Sequence, residues 1–226
     1  MSAREAILSA VHAALGGREV DACRVTEEAR ELLGDPAAIR PQLMAHDLVE
    51  AFVARATSAK LIGTSVDRIA QVSEFPGAVG RYLTAQGLPA ELVLQPSPEL
   101  QALDWSNFEV RSEMVPDERV GVGVARWAVA ETGSLVFHSG EDTPILFNFL
   151  PLHHIVLVRA STVLAYLEDY SNAFATTGER QPRNVNIITG ASGTTDIEGI
   201  LVRGAHGPRN LHIVIAKRSS PFARED

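Results

Sequence analysis

The amino-acid sequence predicts an α/β fold, a mixed sheet with helices on both faces, preceded by a helical N-terminal arm. Three observations carry this expectation. From about residue 61 to residue 216, strand-like and helix-like segments alternate. Ile155–Val158 is an unbroken apolar run of the kind found in strands buried on both faces. The last two strand candidates, Val185–Thr189 and Leu211–Ala216, are 21 residues apart, which leaves room for a helical crossover.

Element by element, Ser2 and Glu5 have the spacing of a capping box. Ile7, Ala10, Val11, Ala14 and Leu15 follow on one helical stripe, and Gly16-Gly17 can end it. A polar stretch runs from Arg18 to Asp35. Pro41 suits a first helical turn, and Met44, Leu48, Phe52 and Ala56 then recur every four residues. Leu61-Ile62 reads as a short strand ending at Gly63. Ser73 can cap a helix with Phe75, Val79, Tyr82 and Leu83 on one face and Gly87 as its stop. Glu91–Leu94, Val120–Ala125 and Ser134–His138 read as strands. The last two are eight residues apart, too close for a parallel crossover, so they are expected to be antiparallel or not directly paired. After Ile155–Val158, Ser161 or Thr162 can cap a helix that turns Val163, Leu164, Leu167, Tyr170 and Phe174 inward. The pattern is Rossmann-like, with a helical arm over residues 1–57 and one α/β domain over 58–226.

Charge and cysteine content exclude several classes of function. Twenty Lys and Arg against 28 Asp and Glu leave a net charge of −8 without a basic cluster, which disfavours nucleic acid and anionic lipid. A single cysteine, Cys23, forbids an internal disulfide and cannot supply the thiolates of a zinc or iron–sulfur site. No apolar stretch reaches the ~20 residues of a membrane span, and the first residues lack a secretory-signal layout. The expected location is the cytoplasm.

Two segments could hold chemistry. Gly190-Ala191-Ser192-Gly193-Thr194-Thr195-Asp196 follows a strand, where a glycine-rich turn opening a helix offers N–H groups to an anion. It matches neither the phosphate-loop nor the dinucleotide consensus, and a helix cap by Thr194 or Thr195, with Asp196 and Glu198 facing the dipole, explains it equally. Glu131-Thr132-Gly133-Ser134 sets a carboxylate beside hydroxyls. Glu131 could act as general base or nucleophile, or be a solvated turn charge. Seven histidines include the adjacent His153 and His154, which a strand would turn to opposite faces, and His206 and His212 around Gly207-Pro208. Neither pair is a metal motif, although one imidazole near the Asp196/Glu198 loop could orient a ligand. Arg159, Arg203 and Arg209 flank strands and could meet an anion or simply face solvent.

In order, Ala130-Glu131-Thr132-Gly133-Ser134-Leu135-Val136, Pro151 with His154-Ile155, Thr189-Gly190-Ala191-Ser192 with Thr194, Asp196-Ile197-Glu198-Gly199 and Gly204-Ala205-His206-Gly207-Pro208 resemble the lactate-utilization protein C family (LutC/YkgG, LUD domain) from about Ala59 to Ala216. The resemblance implies the fold shared by glucosamine-6-phosphate deaminase, ribose-5-phosphate isomerase and CoA transferases (NagB/RpiA/CoA-transferase-like). It also implies a part in bacterial oxidation of L-lactate to pyruvate beside two iron–sulfur partner proteins. On this basis Glu131 and Asp196 are the catalytic candidates. Thr132, Gly133, Ser134, His154, Gly190, Ser192, Thr194, Glu198 and His206 are the ligand-binding ones. No cofactor is expected in this chain, iron–sulfur clusters belonging to the partners. Where many members resemble Ser-Arg-Thr or Ser-Lys-Thr, this chain has Ser192-Gly193-Thr194, so a small anionic ligand would lose a basic partner.

Three functions remain open at this level: a non-redox subunit of a lactate-oxidising system, a stand-alone isomerase, CoA-transferase or ligase-like enzyme using Glu131, and a scaffold or regulatory module. Homo-oligomerisation is left open in each.

Overall fold

The computed structural model describes residues 2–16, 21–32, 40–59, 61–196 and 198–218. Gly17, parts of the Arg18–Asp35 stretch and Ile197 lie outside them. The chain divides into two compact units, 1–41 and 42–226.

In the first unit, α1 (Ala3–Ala14) begins with the expected capping box: Glu5 N donates to Ser2 Oγ at 3.3 Å and Ser2 N to Glu5 Oε2 at 2.6 Å. Its apolar stripe is exposed, as Ile7, Val11 and Leu15 show. A second helix, α2 (Ala22–Leu32), occupies part of the stretch that reads only as polar. An Arg24–Glu28 pair four residues apart supports it. Cys23 there is a free, exposed thiol.

The second unit opens with α3 (Leu48–Ala56), whose N-cap is Asp47 rather than the region of Pro41. Ala51, Phe52 and Ala56 are fully buried, so this helix, assigned from sequence to the arm, belongs to the second unit's core. Thereafter come β1 (Thr64–Gln71), a 3-10 turn at Val72–Glu74, α4 (Phe75–Gln86) stopped at Gly87, β2 (Glu91–Leu94), the short α5 (Pro98–Gln101), β3 (Glu109–Arg111) and β4 (Val120–Val124). Next are β5 (Trp127–Val129), β6 (Ser134–His138), β7 (His153–Arg159), β8 (Val163–Leu164), α6 (Asp169–Thr176), β9 (Val185–Thr189), β10 (Gly193–Thr194), β11 (Val202–Arg203) and β12 (Asn210–Arg218).

Six strands form a parallel sheet in the order β1-β12-β7-β4-β2-β3. In the register Ile213↔Val156 and Val214↔Leu157, alternate residues point to opposite faces. Val214, Ile155 and Leu157 pack beneath α4 with Phe75, Val79 and Leu83. Ile213, Ile215, Val156 and Val158 pack on the other side with Phe52 of α3, Leu135 and Phe137. That second face is covered by another sheet, β8-β5-β6-β9, as well as by α3. Helices thus lie on both faces, as expected, α4 on one and α3 on the other, where a mixed four-stranded sheet shares the cover. Tyr170 and Phe174 of α6 pack against Trp127, Val129 and Val136 of that second sheet.

Three more expectations change. Val163 and Leu164 do not begin a helix. They pair in parallel with Ala128 and Val129, because the exposed edge of β5 gains backbone partners there. Helix starts only at Asp169. The 190–209 connection is not a helical crossover but turns around the small β10–β11 pair. Its five glycines and Pro208 disfavour helix throughout. Leu61-Ile62 precedes the strand rather than forming it. β4 and β6 lie in different sheets and are not directly paired, as their spacing allowed.

Candidate functional site

The 190–209 connection folds back on itself next to the start of the central strands. Ser192 N donates to Pro208 O at 2.8 Å and Gly204 N to Ser192 O at 3.0 Å. Gly190 has φ +75°, and a Cβ on it would come within 3.2 Å of Leu61, so the turn leaving β9 requires glycine. These contacts bound a cavity of about 320 Å³, walled by Asn148, Phe149, His154, Ile187 to Gly193, His206 to Pro208, and Leu211.

His153 and His154 do face opposite ways. His153 Nδ1 shares a 2.8 Å hydrogen bond with the Tyr82 hydroxyl, and Tyr82 stacks on His212 at 4.2 Å. His212 Nδ1 is in turn 2.8 Å from Ser65 Oγ, and burial pushes its pKa down to about 4. Tyr82 is pushed up to about 12 by the same cause. On the opposite side His154 forms part of the cavity wall, stacked on Phe137 with ring centroids 5.7 Å apart. It is 1% exposed, and neither ring nitrogen has a hydrogen-bond partner among the described residues. Burial holds its pKa at about 3, so at neutral pH it is an uncharged imidazole with one N–H donor and one acceptor.

The two sequence motifs meet through hydroxyls. Thr132 Oγ1 is 2.7 Å from Ser134 Oγ, which is 2.6 Å from Thr189 Oγ1, and Thr189 borders the cavity. Glu131 points elsewhere: Leu167 N donates to its Oε2 at 3.1 Å, tying it to the turn after β8. Gly133 packs against the end of α3. Asp196 and Glu198 are exposed and do not wall the cavity. Asp196 N donates to Thr194 Oγ1 at 3.2 Å, but no helix follows, so no helix dipole faces an anion. The structure therefore gathers His154, Gly190, Ser192 and His206 at one site, with Thr132 and Ser134 linked to its edge. It leaves Glu131, Gly133, Thr194, Asp196 and Glu198 outside.

Asn148, buried in the wall, is a residue that motif reading missed. Its signal was present: it is the one polar side chain in the apolar run Ile145–Leu152. Arg203 lines an adjoining cavity of about 200 Å³ with Leu61, Ile62 and Leu201. Arg159 pairs with Glu99. Among the described residues, no three His, Cys, Asp or Glu side chains are grouped to hold a metal ion.

An unpartnered imidazole in an apolar wall should cost stability. His154→Leu, close in volume and without polar atoms, is expected to raise stability by roughly 1–2 kcal/mol. Urea unfolding at neutral pH measures this. A variant less stable than the parent would show that the ring nitrogens are satisfied in solution.

Comparison with known proteins adds the family context. The LUD domain model matches residues 103–216. YkgG of Escherichia coli K12 is 39% identical over 123 residues, covering 52% of this chain and 53% of that one. Lactate utilization protein C of Halalkalibacterium halodurans is 31% identical over 124 residues, covering 53% and 54%. The protein of that name from Deinococcus radiodurans is 27% identical over 157 residues, covering 63% and 69%. The matched region spans about half the length of the first two relatives. A crystal structure of a DUF162 family protein from Deinococcus radiodurans aligns with TM-score 0.55 and 19% identity, covering 75% of this chain and 96% of that one. It supports the α/β fold.

Proposed function

Because the chain belongs to the LUD-domain family, we propose that it serves L-lactate utilization as a ligand-binding, non-redox subunit working with iron–sulfur partner proteins. The observation that carries this reading is its likeness to proteins named lactate utilization protein C. The chain's chemistry is compatible. Oxidation of lactate to pyruvate releases two electrons and two protons, and one exposed cysteine cannot hold a cluster to accept them. Electron carriers would reside in other chains, while this one contributes the cavity around His154.

The test is purification of the tagged chain from lactate-grown cells of its native host, with a visible spectrum of whatever co-elutes. Cluster absorbance in co-eluting proteins, together with loss of growth on L-lactate when this chain is deleted, is the expected result. A colourless, solitary chain whose deletion leaves growth on L-lactate unchanged would refute the reading.

A further inference from the structure

We propose that the cavity walled by Arg203 seats a small monocarboxylate, a 2-hydroxy or 2-oxo acid. The guanidinium holds its carboxylate and the Ser192 hydroxyl its second oxygen function. The inference deepens the function proposed above and rests on that reading for the choice of acid.

Four observations converge. First, Arg203 is half-buried, and its guanidinium has no ion pair or hydrogen bond among the described residues. Arg68, Arg81, Arg126 and Arg159 by contrast each pair with a carboxylate. A partly desolvated cation without a counter-charge is unfavourable by itself. A carboxylate entering beside it relieves that cost through bidentate, charge-assisted hydrogen bonds. Second, the guanidinium is seated where side chains are missing. A Cβ on Gly63 would lie 3.2 Å from Arg203 Nη1, and the residue directly opposite Arg203 in the β10–β11 pair is Gly193. Third, none of the described residues walling this cavity is Asp or Glu, so no carboxylate there competes with a ligand. Its volume of about 200 Å³ lies below the roughly 300–1,000 Å³ of pockets for larger ligands and suits an acid of a few carbons. Fourth, the remaining wall supplies one available hydroxyl and an apolar rim. Ser192 Oγ has no hydrogen-bond partner among the described residues, and Ile62 and Leu201 are exposed apolar side chains. An acid with a hydroxyl or carbonyl next to its carboxylate and a methyl group beyond meets all three surfaces. A phosphate dianion is served less well. It would face one fixed charge, Ser192 N already donates to Pro208 O, and the turn opens no helix.

Four probes titrated into the full chain by ligand-observed NMR test the claim: L-lactate, propionate, lactamide and inorganic phosphate. L-lactate is expected to bind saturably, more tightly than phosphate and at least tenfold more tightly than lactamide, which keeps the hydroxyl but lacks the charge. Arg203→Gln should weaken lactate binding at least tenfold. Ser192→Ala should weaken it severalfold yet leave propionate, which has no 2-hydroxyl, unchanged. Far-UV circular dichroism should be the same in both variants as in the parent. Lactamide or phosphate binding as tightly as lactate, saturable binding by neither acid, or unchanged lactate affinity in Arg203→Gln overturns the inference. An equal loss of propionate in Ser192→Ala overturns the part given to the hydroxyl. Absent lactate binding with cluster proteins still co-eluting would remove this site and leave the role in lactate utilization. Arg203-dependent lactate binding by a colourless, solitary chain would do the reverse.

Discussion

Acidification from pH 6.5 to about 4.5 is expected to remove roughly 5 kcal/mol of folding stability, with His154 and His212 as the main cause. Both imidazoles have an ordinary pKa of 6.5 when the chain is unfolded, but burial holds them at about 3 and about 4 in the fold. Between those values the unfolded chain binds more protons than the native one. Each step down in pH therefore favours unfolding, and stability is fully present only above 6.5. One such group contributes about 1.4 kcal/mol per pH unit within its window, so two together approach about 2.7. Set against a total of about 5–15 kcal/mol for an ordinary domain, this is a large share. Urea midpoints at several pH values would show a steep acid limb beginning near 6.5. In His154→Leu the slope should fall by about half, to roughly 1.4 kcal/mol per unit. A flat profile down to pH 5, or an unchanged slope in the variant, would mean that these rings are not held neutral by the fold. Below about 4.5 the paired carboxylates Glu50 and Asp67, both lowered below their usual range, add to the loss.

How much of this could be read from the residues depended on whether local pattern and tertiary context agreed. Ile155–Val158 and Leu211–Ala216 were legible as strands because both faces of the central sheet are buried and their residues are apolar, His212 alone excepted. The helix from Phe75 was legible because its periodicity, a single buried face and Gly87 all point the same way. Val163-Leu164 misled for the opposite reason: spacing to Leu167 and Tyr170 suits a helix, and only the unpaired edge of β5 decides for a strand. α2 was hidden because its apolar positions Ala22, Val25 and Ala29 are few and small among charged residues such as the paired Arg24 and Glu28.

The site divided similarly. The adjacent histidines had to face apart on a strand, and they do, but which one would be buried was a property of the second sheet and not of the string. His154 and Ser192 meet only because β7 and the 190–209 connection, far apart in sequence, close on one cavity. Glu131 looked chemical as a neighbour of Thr132 and Ser134. It lies in the turn between β5 and β6, however, and its carboxylate reaches Leu167 N while Ser134, at the start of β6, turns inward to Thr189.

Gly133, in the same motif, is explained by packing, and adding a single methyl group there should be strongly destabilising. It has φ +72°, and a Cβ there would lie 2.8 Å from Ala56 N and 3.0 Å from Ala56 Cα. Both obstacles are backbone atoms at the end of α3, whose Phe52 and Ala56 are fully buried between the sheets. Neither can swing aside as a flexible side chain would. Gly133→Ala therefore incurs the left-handed backbone cost of about 1–2 kcal/mol together with the displacement of a packed helix end. The total expected is roughly 3–5 kcal/mol, a fall in Tm of about 6–15 °C. Gly87→Ala supplies the control: its φ is +65°, but nothing lies within 4 Å of the added methyl. That variant should lose only about 1–2 kcal/mol. The difference between the two isolates the approach of α3 to the turn. If both substitutions cost the same, the helix end does not press on Gly133 in solution. A substantially larger loss at Gly133 would assign this glycine to the seating of α3 against the β5–β6 turn, leaving the flanking Thr132 and Ser134 hydroxyls as the part of the motif that reaches the cavity.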